Sequence, residues 1–159
     1  MFDRLSRRRY VIGTGAVVTL GGLAGCADSD DGDGDVSDDV PAELDEFLAD
    51  ARLYDGTIAV RTDEDEVTVD VGGGPDGLAF DPPALRIDAG TTVRWEWTGE
   101  GGEHNVVSTP ESDSEFSSGD SVAEAGTTFE HAFDEAGIQL YECEPHRGVN
   151  MLGGIHVVD

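Results

Sequence analysis

The chain has 159 residues, 35 of them acidic and nine basic, all nine being Arg, for a formal net charge of −26. With no basic patch to neutralise phosphates, nucleic-acid binding is excluded. Such a surface suits either a basic partner steered by charge or, the reading the composition favours, life in concentrated salt. At 1 M the Debye length is about 3 Å, so self-repulsion is screened while carboxylates keep the surface hydrated. The absence of Lys, whose long apolar stem covers surface, agrees with that reading.

Residues 1–25 read as an export signal rather than as part of the fold. Ser6-Arg-Arg-Arg-Tyr-Val11 looks like a twin-arginine motif, with Arg7 and Arg8 as its pair. The uncharged stretch Val11 to Gly25 follows, too short to span a bilayer but suited to a signal-peptide apolar region. It ends in Leu23-Ala-Gly-Cys26, which resembles a lipobox and makes Cys26 the expected lipid attachment site. An uncleaved signal anchor is the alternative. Cleavage would remove four Arg and one Asp and leave five basic against 34 acidic residues, a net charge of −29.

Residues 26–40 carry this Cys and an acidic linker. Half of residues 27–40 are Asp, with almost nothing to bury, so a disordered, extended tether is expected. Residues 41–56 place Leu44, Phe47, Leu48 and Ala51 at i, i+3, i+4, i+7, the spacing of a short amphipathic helix over 41–53. Pro41 suits its first position, and Gly56 lies just beyond its end.

From residue 57 to 159 the apolar period falls to two. Val67, Val69 and Val71 alternate with polar residues, as do Val93, Trp95 and Trp97. Phe129, His131 and Phe133 share one strand face, and Ile155 and Val157 another. With Gly, Asp and Pro turns between, the spacing predicts a single all-β sandwich without internal repeats. In the strand 137–143, Tyr141 and Cys143 point one way and Ile138 and Leu140 the other. Either a bulge shifts the phase or Leu140 is a surface apolar residue.

That strand runs into Tyr141-Glu-Cys-Glu-Pro-His-Arg-Gly-Val-Asn-Met151. Cys143 is the only cysteine besides Cys26, and Met151 the only methionine besides the initiator. Two cysteines permit one disulfide, but each here has a separate role. A thiolate, an imidazole and a thioether from one loop make most of a mononuclear copper site, with His104 in Gly102-Glu-His-Asn-Val106 as the fourth candidate. Sulfur ligands favour Cu(I), imidazole suits both oxidation states, and two His with one Cys and a weak axial Met is the blue-copper set. Carboxylate-rich sites favour hard cations instead. Zinc is the competing metal, although structural zinc sites take Cys and His without Met.

Several segments carry a family resemblance: Gly102-Glu-His104-Asn-Val-Val, Gly137-Ile-Gln-Leu-Tyr-Glu-Cys143-Glu-Pro-His146, Met151-Leu-Gly-Gly-Ile-His-Val, Gly77-Leu-Ala-Phe-Asp-Pro-Pro83 and Gly90-Thr-Thr-Val-Arg-Trp-Glu-Trp97. Across residues 54–159 the chain resembles the cupredoxins, and among them the halocyanins, plastocyanin-like blue copper proteins of halophilic archaea. The resemblance implies a Greek-key β-sandwich, one copper per chain, and His104, Cys143, His146 and Met151 as its ligands. It also implies Asn105 as the residue tying the His104 loop to the Cys143 loop. Asn150 stands where Gly is common in that family; Asn tolerates left-handed geometry better than most residues.

The activity so implied is one-electron transfer, not enzymatic turnover, between respiratory redox partners. The carrier would be a monomeric copper domain held by lipid at the extracellular face of the cytoplasmic membrane. By the same resemblance His146 shows its edge at the surface as the electron port, ringed by Pro145, Val149 and Leu152 as an apolar docking patch. Glu103, Glu142 and Glu144, if close to the ligands, would lower the reduction potential. Copper storage or delivery and a structural metal-binding domain are the rival functions. Multicopper or nitrite-reducing enzymes need more than the four His present. His156 is expected as a solvated strand residue and His131 as a core or boundary residue.

Overall fold

The computed structural model describes residues 35–159; the export signal, Cys26 and the first part of the tether lie outside these. Ten strands and one α-helix follow in chain order. They are β1 (Asp35–Ser37), α1 (Ala42–Phe47), β2 (Ile58–Val60), β3 (Glu66–Gly73), β4 (Ala79–Asp81), β5 (Ala84–Asp88), β6 (Thr91–Trp97), β7 (Val107–Ser108), β8 (Thr128–Phe133), β9 (Gly137–Glu142) and β10 (Leu152–Val158). A 3-10 segment, Glu144–Val149, joins β9 to β10. The strands form a six-stranded sheet in the order β1-β2-β5-β10-β9-β7 and a four-stranded sheet in the order β4-β3-β6-β8. The protein is thus the two-sheet β-sandwich that the alternation of apolar residues predicts.

The alternation explains the layers. Val67, Val69 and Val71 of β3 and Val93, Trp95 and Trp97 of β6 are buried between the sheets, and Glu66, Thr68 and Asp70 face solvent. Leu85 and Ile87 of β5, Ile155 and Val157 of β10 and Tyr141 of β9 meet them from the other sheet. Trp95 sits at the centre, with the rings of Phe116, Phe129 and Tyr141 5.8, 5.4 and 5.4 Å away between centroids. On β8, His131 stacks on Phe116 at 5.2 Å, a boundary position. Burial holds its pKa below the ordinary imidazole value, against the opposing charge of Asp134.

Leu140 belongs to neither expected alternative. It is buried without a bulge, because a second apolar cluster lies outside the sandwich: Leu44, Leu48, Ala51, Ile58, Ala84 and Leu140, with Ile138 and Leu152 packed against them. The N-terminal helix covers the outer face of β9 and β10. Consecutive glycines on β10 make room on both sides of the sheet. A Cβ on Gly154 would stand 2.1 Å from Leu44 Cδ1, and one on Gly153 2.3 Å from the Tyr141 ring. Each glycine thus admits one large side chain, the first toward the helix and the second toward the core.

The helix is shorter than the apolar spacing suggests, ending at Phe47, although Leu48 and Ala51 remain buried in the turns that follow. Glu43 and Asp45 suit its first turn, but its last turn holds no basic residue and Asp50 follows, which opposes the helix dipole. Pro41 stands at the N-cap in extended geometry rather than at the first helical position. The expected linker also ends early. Residues 35–37 pair with β2, Asp35 opposite Val60 and Ser37 opposite Ile58. Val36 is 66% exposed, so backbone pairing and not apolar burial holds this strand. Arg61 Nη1 donates to the Asp35 carbonyl and Arg86 Nη2 to that of Asp39. Arg86 Nε also donates to His156 Nδ1 at 3.2 Å, so His156 is half-buried and partnered rather than solvated.

Leu44→Ala removes the side chain that fills the space over Gly154. It should cost about 3 kcal/mol in denaturant unfolding while leaving metal binding intact; a loss below about 1 kcal/mol would mean that the helix is not docked in solution.

Candidate metal centre

His104, Cys143 and His146 come together at one end of the sandwich, their ligand-type atoms all within 4.8 Å of one another. His104 sits between β6 and β7. Its backbone exchanges two 2.9 Å hydrogen bonds with Val122, and Trp97 Nε1 donates to the carbonyls of both residues at 3.1 Å. Its Nε2–H donates to the Glu100 carbonyl at 2.7 Å, which orients the ring and turns Nδ1 toward Cys143 Sγ, 3.7 Å away. A buried imidazole oriented through its other nitrogen is the arrangement of metal-ligating histidines.

The second loop delivers the remaining candidates. Cys143 follows β9 directly, and its N–H donates to the Met151 carbonyl at 3.1 Å. The N–H of His146 donates to the Cys143 carbonyl at 3.1 Å and that of Met151 to the His146 carbonyl at 3.2 Å. Asn150 turns the chain back at φ 66°, ψ 40°, the left-handed geometry that Asn tolerates. His146 Nδ1 lies 3.4 Å from Cys143 Sγ, and the two imidazole centroids are 4.9 Å apart. Cys143, Met151 and His104 are fully buried, whereas His146 is partly exposed.

Asn105 fastens one loop to the other. Its Oδ1 accepts the Glu144 N–H at 2.9 Å, and its Nδ2 donates to Glu144 Oε1 and to the Gly119 carbonyl, both at 3.1 Å. Glu142, immediately before Cys143, is paired with Arg147 of the ligand loop, which grips both carboxylate oxygens. Of the three acidic residues near the ligands in sequence, Glu142 is therefore countered by Arg147 and Glu144 is engaged by Asn105. Glu103 is exposed.

Electrostatics favour a thiol and neutral imidazole in the metal-free chain. Burial raises the Cys143 pKa, with Glu144 and Glu142 adding to the effect, against backbone N–H groups of Asn105 and His146 that pull the other way. Burial, and then the neighbouring His104, lower that of His146. One proton must therefore leave Cys143 when a metal is taken up. The spacing suits such a metal: with about 2.3 Å to sulfur and about 2.0 Å to nitrogen, two donors sharing an ion stand roughly 3.5–3.7 Å apart. The sulfur-to-nitrogen distances are 3.4 and 3.7 Å, the first just below this range and the second at its upper end. His131 and His156 lie elsewhere, on the Phe116 ring and on Arg86. Cys143 is a free, buried cysteine, while Cys26 lies outside the described residues. The Glu100 carbonyl and the Arg147 pairing escaped sequence reasoning. A backbone acceptor has no side-chain signature, and a pair five residues apart across a loop matches no helical or strand period.

Residues 66–158 match the family described as copper binding proteins of the plastocyanin/azurin family. Halocyanin of Natronomonas pharaonis is 52% identical over 160 residues, covering 96% of this chain and 98% of its own. Plastocyanin of Scenedesmus fuscus is 36% identical over 101 residues, covering 58% of this chain and 99% of its own. Among solved structures, pseudoazurin from Methylobacterium extorquens AM1 superposes with a TM-score of 0.47 at 28% identity, over 60% of this chain and 76% of that one.

Removing the clasp between the loops tests its part in the site. Asn105→Ala should lower metal affinity by about 10- to 100-fold in chelator competition with the fold retained; wild-type affinity would show the two loops hold their spacing without it.

Proposed function

The chain belongs to the plastocyanin/azurin family of copper-binding proteins, and on that premise we propose that it is a one-electron carrier with a mononuclear type 1 copper site. Its ligands are His104, Cys143, His146 and Met151. The observation that carries this reading is the convergence of one thiol and two imidazole nitrogens within 4.8 Å, beside a buried thioether whose backbone is bonded to both Cys143 and His146. Two nitrogen and two sulfur donors of this softness hold both oxidation states of copper without a change of ligands.

Bound copper supplies a one-electron couple; the chain supplies everything around it. Cys143 gives up its proton and provides the strongest donor. The Glu100 carbonyl holds His104 in the tautomer whose Nδ1 is free. Asn105 and the Glu142–Arg147 pair hold the loops at a fixed spacing, so few groups move when charge changes. Full burial of Cys143, His104 and Met151 keeps water away, and the partly exposed His146 serves as the port for the electron.

Pro145 and Val149 stand exposed in the loop carrying His146 and form the apolar contact for redox partners. Leu152, by contrast, packs against the helix-side cluster and drops out of that surface. Apolar contact keeps its strength in concentrated salt, where charge steering fades. The partners are respiratory donors and acceptors, met briefly as a monomeric copper domain. The carrier is exported by the twin-arginine route through Arg7 and Arg8 and held outside the cytoplasmic membrane by lipid on Cys26. No helix among the described residues is long and apolar enough to cross a membrane.

Copper-loaded protein should absorb strongly in the red, bleach with reductant and recover with oxidant. Val149→Asp should keep that band and slow electron exchange several-fold. A colourless copper protein would replace the carrier with a storage role, and a preference for zinc would point to a structural one. Mass spectrometry of the native membrane-bound protein should find diacylglycerol on Cys26; an unmodified cysteine would remove the anchor but not the carrier.

A further inference from the structure

The residues that match the copper family begin at 66, yet the segment before them touches the ligand loop. Arg52 follows the buried Ala51 just beyond α1. Its backbone N–H donates to the Asn150 carbonyl at 3.2 Å, and its Nε to the Val149 carbonyl at 2.9 Å. Its Nη1 reaches Asp76 Oδ2 in the β3–β4 loop at 3.4 Å. These two carbonyls belong to the residues immediately before Met151, and Asn150 is held there in left-handed geometry at φ 66°.

We propose that Arg52 is a positioning residue for Met151, an N-terminal brace on the ligand loop contributed from outside the family domain. The proposal rests on Met151 as one of the residues that would hold copper. The surrounding contacts make the brace stiff. Leu48 and Ala51 anchor the segment in the helix-side cluster, the Tyr54 hydroxyl donates to Asp45 at 2.7 Å, and Leu53 lies along Gly74. The guanidinium then spans three segments that share no strand pairing with one another. The exposed ion pair with Asp76 adds little by itself; the Nε donation to the Val149 carbonyl does the side chain's orienting, beside a main-chain donation to Asn150 that any non-proline residue at 52 keeps. Arg suits the position because its planar fork serves two acceptors at once.

Three full-length variants test this, Arg52→Ala, Arg52→Lys and Asp76→Asn, each read with and without copper. In the metal-free protein, amide hydrogen exchange at Met151 should accelerate about fivefold in Arg52→Ala, the factor for one hydrogen bond. Exchange in β3 and β6 should stay at wild-type rates. Arg52→Lys should fall between, and Asp76→Asn should stay within about twofold of wild type. In the copper-loaded protein the reduction potential of Arg52→Ala should rise, because a looser thioether donates less to the oxidised metal, and Arg52→Lys should bring it part of the way back. Wild-type Met151 exchange together with a wild-type potential in Arg52→Ala would overturn the proposal, as would equal acceleration throughout both sheets. Absence of a red band in every variant would sink the copper reading instead, while exchange in the metal-free chain would still report on the brace.

Discussion

Everything at the ligand end depends on one chain reversal. Between Cys143 and Met151 the backbone leaves β9, makes a 3-10 turn, passes through a left-handed Asn150 and returns, closed by the Cys143 N–H on the Met151 carbonyl. That closure lets one short stretch present a thiol, an imidazole and a thioether in one direction. Beyond the bend Leu152 pairs with Glu142, so the loop is the hairpin connection of two long strands and inherits their rigidity. The loop interior contains nothing buried. Its shape therefore has to be imposed from its flanks: Asn105 on one side, Arg147 on Glu142 beneath, and Arg52 on the other side.

The two sheets explain why those flanks do not yield. Trp97, a core residue of β6, donates its indole N–H to the carbonyls of His104 and Val122, so the first imidazole hangs directly from the sandwich interior. Tyr141, two residues before Cys143, is packed against Trp95 and Phe80. Close-packed interiors have low compressibility and yield little. A site meant to take up and release charge with little rearrangement needs such a frame.

Much of this was legible in the chain. Period-two runs such as Val67-Thr-Val69-Asp-Val71 specify both strand and inward face, and the close grouping of Cys143, His146 and Met151 announces soft-metal chemistry. Asn105 is placed by the resemblance to the cupredoxins alone, and its bonds to Glu144 are what the structure adds. What stayed hidden has a common physical reason: it depends on contacts between segments far apart in sequence or on backbone atoms. Alternation says that Leu140 points out of the sandwich but not that Leu44 and Leu48 cover it. Arg52 meets Val149 across 97 positions, and Arg61 and Arg86 meet carbonyls of the acidic stretch. The partner of His104 is a carbonyl that any residue at position 100 would supply.

The outer helix changes where the working unit begins. The residues matched by the plastocyanin/azurin family open at 66, the first residue of β3, whereas among the described residues strand pairing is already present at residue 35. A shortened version cut at the shared border would lose β2, strip the cover from Leu140 and Ala84, and leave the bend before Met151 open on one side. A redox module to be grafted onto another protein therefore has to carry β2 and the outer helix along with the shared residues.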